Sequence, residues 1–132
     1  MKLIDSPDCN HCNQIDTVIH RFIECDDVFR FWNEILQYFN GIHNTDLNLS
    51  KEQIILGITD NTQTPITVSL NIYILIAKYW IHVSRLKKNK PEIYGFKRFL
   101  YKHIENEKYI HTMHETLDKF NETWNVLYTN LT

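Results

Sequence analysis

From Asp16 onward the chain sets apolar residues at Val18, Ile19, Phe22 and Ile23, then at Phe29, Trp32, Ile35, Leu36 and Phe39. Steps of three and four gather each set on one side of a helix. Asp16 or Thr17 can cap the start, Asp26 and Asp27 can recap a second helix just after Cys25, and Gly41 closes the region. Ser50 with Gln53 three residues later forms a capping-box pattern that opens a short helix. After the loop "TDNTQTP", Pro65 suits the first turn of a long helix reaching about Lys88. Its Leu70, Tyr73, Ile74, Ile76, Ala77, Trp80 and Ile81 leave little polar face, as in the central helix of a small domain. "LKKNKP" reads as a connector. Pro91 opens a last helical region with apolar positions from Phe96 and Leu100 through Met113, Leu117, Phe120, Trp124 and Leu127. The β-branched content between 66 and 83 would also suit a strand, but the length of the run favours helix. The pattern predicts an all-α fold, a small helical bundle.

Composition narrows this picture. A chain of 132 residues has room for a single domain, 1–132. Apolar residues make up 43% and aromatics 13%, enough to offset chain entropy and exclude disorder. Three glycines and three prolines favour long helices over a strand-and-turn architecture. The most apolar run, Ile66 to Val83, is interrupted by Asn71, Lys78 and His82, which predicts a buried helix rather than a membrane span. "MKLIDSPDCN" lacks the apolar core of a secretory signal, and three cysteines do not pair evenly. The expectation is an intracellular protein, nuclear or cytoplasmic, in a reducing compartment and with no membrane partner.

All three cysteines fall within the first 25 positions, in the order C-x2-C-x7-H-x4-C: Cys9, Cys12, His20 and Cys25. Three thiolates and an imidazole are a usual tetrahedral ligand set for structural zinc. Cys9 and Cys12 can face one point across a tight turn. His20 and Cys25 stand about 140° apart on an ideal α-helix, so they converge on one ion only where the helix ends or distorts near Cys25. A closed shell of four ligands leaves no position for a reacting water, so the zinc would be structural and supply folding free energy. On this reading residues 1–30 form an N-terminal Cys3His zinc knuckle and residues 31–132 the helical bundle. Two alternatives stand beside it: unligated buried thiols, and a redox C-x-x-C pair, although no strand precedes the motif as redox folds require. His11, inside the knuckle turn, is a possible substitute ligand.

The net charge of −2 hides a strong asymmetry. Eight basic residues lie between Lys78 and Lys102 with only Glu92 among them, whereas the remainder carries six basic and fifteen acidic residues. Arg85, Lys87, Lys88, Lys90, Lys97, Arg98 and Lys102 straddle a helix–helix turn, interleaved with Tyr94, Phe96 and Tyr101. Clustered cations contact phosphates and exposed aromatics stack on unpaired bases, so this stretch is the candidate nucleic-acid-binding surface. The bland reading is a solvated basic turn whose aromatics face the core.

The segment "CNHCNQIDTVIHRFIECDDVFRFWNEI" resembles the zinc-binding region near the carboxyl end of reverse transcriptases from LINE-type (non-LTR) retrotransposons. The shared steps are Cys9/Cys12, Thr17–His20, Phe22–Cys25 and Phe31–Trp32, and "ILIAKYWIHVSRLKKNKPEIYGFKRFL" is similar to the tail that follows in that family. The resemblance covers nearly the whole chain. It implies binding of RNA or single-stranded DNA, with the rest of a reverse transcriptase or another protein as a further partner. The polymerase's paired catalytic carboxylates and its endonuclease domain have no counterpart here, so no enzyme activity is expected. His103, His111 and His114 with Glu107 and Glu115 could hold a second metal, but a solvated polar face explains them more simply. The alternative function is a protein-interaction or scaffold domain with a purely structural zinc, its basic stripe meeting an acidic partner.

Overall fold

The computed structural model describes residues 20–58 and 64–131, and within these every regular element is helical. A π-helical turn, His20–Glu24, leads into α1 (Asp26–His43), α2 (Lys51–Leu56), α3 (Pro65–Leu86), α4 (Ile93–Met113) and α5 (Leu117–Leu131). The all-α expectation holds for these residues.

Local chemistry sets most of the boundaries. α1 begins directly after Cys25, whose extended backbone (φ −60°, ψ 135°) leaves Asp26 and Asp27 in the first turn, where carboxylates favour the positive end of the helix dipole. The helix runs through Gly41 and stops less than one turn later, at Asn44. That residue takes the left-handed conformation (φ 54°) and donates its N–H to the Asn40 carbonyl. The Asn40 side chain then holds the exit: its Oδ1 accepts from Thr45 Oγ1 and Leu47 N, and its Nδ2 donates to the Leu47 carbonyl. α2 carries the full capping box, Ser50 Oγ accepting from Gln53 N at 3.1 Å and Gln53 Oε1 accepting from Ser50 N at 2.9 Å. Thr64 caps α3 through Thr67 N, with Pro65 at the first helical position. Asn71 pins Ile58, and so the exit of α2, to α3 through paired side-chain bonds of 2.6 and 3.1 Å.

The last helical region is two helices rather than one continuous stretch. Glu115 is left-handed (φ 57°), Thr116 N donates to the His111 carbonyl at 2.8 Å, and the chain reverses so that α5 packs back along α4. Neither glycine nor proline marks this turn.

The core is a column of aromatic rings between α1, α3 and α4. Phe31 meets Phe96 edge-on at 5.5 Å, Phe96 meets Tyr73 at 5.2 Å, and Tyr73 meets Phe39 at 5.0 Å. α5 closes one side with Phe120, Trp124 and Leu127. Burying each ring stabilises the fold by about 1.5–3 kcal/mol relative to leaving it exposed. α3 differs from the buried helix its composition suggests. Leu70, Tyr73, Ile74, Ala77 and Ile81 are buried, but Leu75, Tyr79 and Leu86 on its other side are more than half exposed. By length and composition alone α3 could cross a membrane, yet it is also the helix that supplies the middle of this core.

Candidate metal site and nucleic-acid interface

Cys9 and Cys12 lie outside the described residues; His20 and Cys25 lie within them. Their backbone forms the distortion that convergence requires. Cys25 N donates to the His20 carbonyl at 2.8 Å, an i→i+5 bond that closes a π turn between these two residues before the chain bends into α1. Trp32 Nε1 donates to the Phe22 carbonyl at 2.7 Å and ties the turn to α1. His20 is 6% and Cys25 0% exposed, so a thiol and an imidazole are both withdrawn from solvent on one wide turn. A soft donor and a nitrogen donor held in this way fit half of a Cys3His zinc shell. Among the described residues no group of three or more His, Cys, Asp or Glu converges on a metal position.

The seven basic candidates separate into three environments. Arg85 lies half-buried in the last turn of α3, and Lys87 and Lys88 follow that helix, exposed. Lys88 is left-handed (φ 58°) and Asn89 N donates to the Ser84 carbonyl at 2.8 Å, so the turn closes on its own backbone and presents both lysines outward. Lys90 is drawn toward α1, its Nζ 3.9 Å from Asp27 Oδ1, in a shallow cleft where Asp27, Glu34 and Glu92 alternate with Arg30 and Lys90. Mixed charge makes this middle patch a poor phosphate site.

Lys97, Arg98 and Lys102 converge in the third environment. They line one cleft of about 340 Å³ with Tyr38 from α1, Tyr101 from α4, and Asn130 and Leu131 from α5. Lys97 Nζ lies 4.1 Å from the centre of the Tyr38 ring, a cation–π contact. Tyr38 Oη donates to Asn130 Oδ1 at 2.8 Å, and partial burial raises the Tyr38 pKa above its usual value. Tyr101 stacks on Tyr128 with rings 5.7 Å apart and 4° from parallel. The Tyr128 hydroxyl donates to Glu105, which raises its pKa strongly. Three cations therefore share a cleft with two half-buried tyrosine rings.

Of the aromatics interleaved in the basic stretch, Phe96 is fully buried, Tyr101 is half-buried, and Tyr94 is 77% exposed at the start of α4. Tyr38 and Asn130 come from distant positions, and no charge or motif in their neighbourhood marks them. In the last helices, His111 Nε2 is 3.6 Å from Glu107 Oε2 and its Nδ1 meets Thr116 Oγ1 at 2.7 Å, while His103 packs against Phe99 at 4.8 Å. The His111 contacts serve the α4–α5 turn, and His103 belongs to the packing of α4.

Compared with protein-family models, curated proteins and solved structures, the chain matches none.

Proposed function

We propose that this chain is a zinc-stabilised nucleic-acid-binding module, with RNA or single-stranded DNA as its ligand. It resembles the tail of a LINE-type reverse transcriptase and carries no polymerase or endonuclease centre of its own. The observation that supports this most directly is the cleft of Lys97, Arg98 and Lys102 against Tyr38 and Tyr101. Cations there would neutralise phosphates, and the exposed Tyr94 ring and the cleft tyrosines offer flat faces to unpaired bases. Lys87 and Lys88 extend the positive surface around the turn.

Cys9, Cys12, His20 and Cys25 would hold the zinc. When bound, the ion supplies folding free energy to the chain's first residues and no chemistry beyond that. The buried His20–Cys25 turn supports this assignment.

The test is retention of a labelled single-stranded oligonucleotide across a salt series. Affinity should fall steeply with salt, and the Lys97→Gln/Arg98→Gln/Lys102→Gln triple variant should flatten the log–log slope by about 2, three contacts at roughly 0.7 each. A wild-type chain that shows no salt-dependent retention would remove the proposal.

A further inference from the structure

Among the described residues none of Lys97, Arg98 and Lys102 makes an ion pair, and Lys97 meets only the Tyr38 ring. Other cations of the basic stretch are engaged: Lys90 is drawn to Asp27, and Lys78 donates to the Ile55 carbonyl at 3.1 Å. Asn130, which α5 brings to the cleft, accepts from Tyr38 Oη through Oδ1. Its amide is thereby oriented, with the Nδ2 donors left without an acceptor among the described residues. The cleft thus gathers two ammoniums, a guanidinium and an amide N–H₂, and no carboxylate lines it.

Unpaired donors of this kind define an anion site, and its extent selects the anion. Lys97 to Lys102 covers about 8 Å of helix. Carboxylates bound it at both ends. Glu34, one turn before Tyr38 on α1, lines the neighbouring cleft with Asp27 and Glu92, and both clefts lie between α1 and α4. Glu105, one turn after Tyr101 on α4, accepts from the Tyr128 hydroxyl. A strand laid along α1 and α4 would carry its successive phosphodiesters from the cations onto these carboxylates, where like charges repel. A strand end concentrates its charge instead. A phosphomonoester holds about −1.5 to −2 charges at pH 7 and three strong acceptor oxygens on one phosphorus. Those oxygens can meet both ammoniums and the two-pronged Arg98 guanidinium together. At about 340 Å³ the cleft is near the small end of ligand sites, roughly 300–1,000 Å³, as suits one terminal nucleotide. We propose, as a refinement that rests on the nucleic-acid reading, that the cleft seats the phosphorylated end of a single strand rather than an internal stretch.

The experiment titrates the full chain with one internally labelled oligonucleotide carrying a 5′-phosphate, a 3′-phosphate, or hydroxyls at both ends. A hydroxyl-ended strand two nucleotides longer serves as the control of matched total charge. Fluorescence anisotropy should show at least one end-phosphorylated form binding about tenfold tighter than either hydroxyl-ended strand, and the preferred end identifies the source of the phosphate. Asn130→Asp places a carboxylate among the donors at an exposed position, so helix content should hold while the preference falls below about twofold. Equal, salt-dependent binding of all forms would overturn the strand-end assignment and leave the nucleic-acid reading standing, whereas no salt-dependent retention of any form would remove both. A preference undiminished in Asn130→Asp would also overturn it. So would a phosphoserine peptide that displaces the end-phosphorylated strand at equal concentration, because a protein would then be the occupant.

Discussion

Tyr73 shows how much one residue can carry in so small a core. Its ring bridges Phe39 and Phe96, and its hydroxyl donates to the Ile35 carbonyl at 2.6 Å, so one side chain joins α3 to both α1 and α4. Burial, with a smaller contribution from Tyr38, pushes its pKa well above 10.0. A folded-state pKa raised above the unfolded one gives stability that is fully present below the unfolded value and is lost as pH rises past it. The chain should therefore weaken above pH 10, and Tyr73→Phe should remove part of that alkaline loss, as urea unfolding at neutral and alkaline pH would reveal. Gly95 is a second such position. A methyl group there would stand 2.4 Å from Trp80 Cζ2, and Phe99 packs against the same indole at 5.2 Å, so the ring has little room to yield. Gly95→Ala should cost about 1–3 kcal/mol by thermal or urea unfolding, despite alanine's better helix propensity. Neither role can be read from position alone: the apolar pattern marks Tyr73 as core, but not its acceptor, and Gly95 looks like an ordinary helical glycine.

At the scale of elements, starts were more legible than ends. The Ser50/Gln53 capping box and Pro65 stand where their side-chain chemistry places them. The break after Cys25 also falls where expected, but Cys25 itself is the N-cap and makes no side-chain cap bond, while Asp26 and Asp27 lie in the first turn. Ser50→Ala should lower the stability of α2 by about 1 kcal/mol, seen as faster amide exchange confined to residues 51–56. Ends depend on backbone conformations that residue type only biases. α1 passes through Gly41 because an α-helix tolerates glycine at modest cost, and it ends where Asn44 turns left-handed. The α4–α5 reversal is hidden more deeply, since the apolar spacing runs on across it and Glu115 is an unusual residue for a left-handed position. Glu115→Gly should relieve that strain and raise the unfolding midpoint, by up to roughly 1 kcal/mol in free energy.

On the proposed function, metal and nucleic acid would make separable demands across the whole molecule. With zinc bound by all four ligands, Cys9→Ser/Cys12→Ser should lose the ion and order near the π turn together, measured by metal content and by exchange at residues 20–25. The bundle from Phe31 onward holds its own aromatic core and should retain its helix signal. The basic cleft shares no residue with the π turn and should respond to salt and to its own cations rather than to the metal. Half of the cleft was legible in advance. Lys97, Arg98 and Lys102 announce themselves by charge, whereas Tyr38 and Asn130 join them only because α1 and α5 pack beside α4. Lys90, equally basic, is diverted to Asp27, a pairing that no local pattern contains.

What the sequence determined by itself are the features that depend on near neighbours: helical periodicity, side-chain caps, the clustering of cysteines before position 26, and the excess of cations between 78 and 102. Spacing of three and four is a property of a single helix, and it survives whatever that helix packs against. Tertiary structure decided which of two apolar faces on α3 turns inward, which cations share a cleft, and where α4 gives way to α5. Those outcomes rest on contacts between residues tens of positions apart. α3 is the clearest case: its composition suggests a helix buried all round, but among the described residues the four other helices do not enclose it, so one apolar face builds the core and much of the other remains exposed.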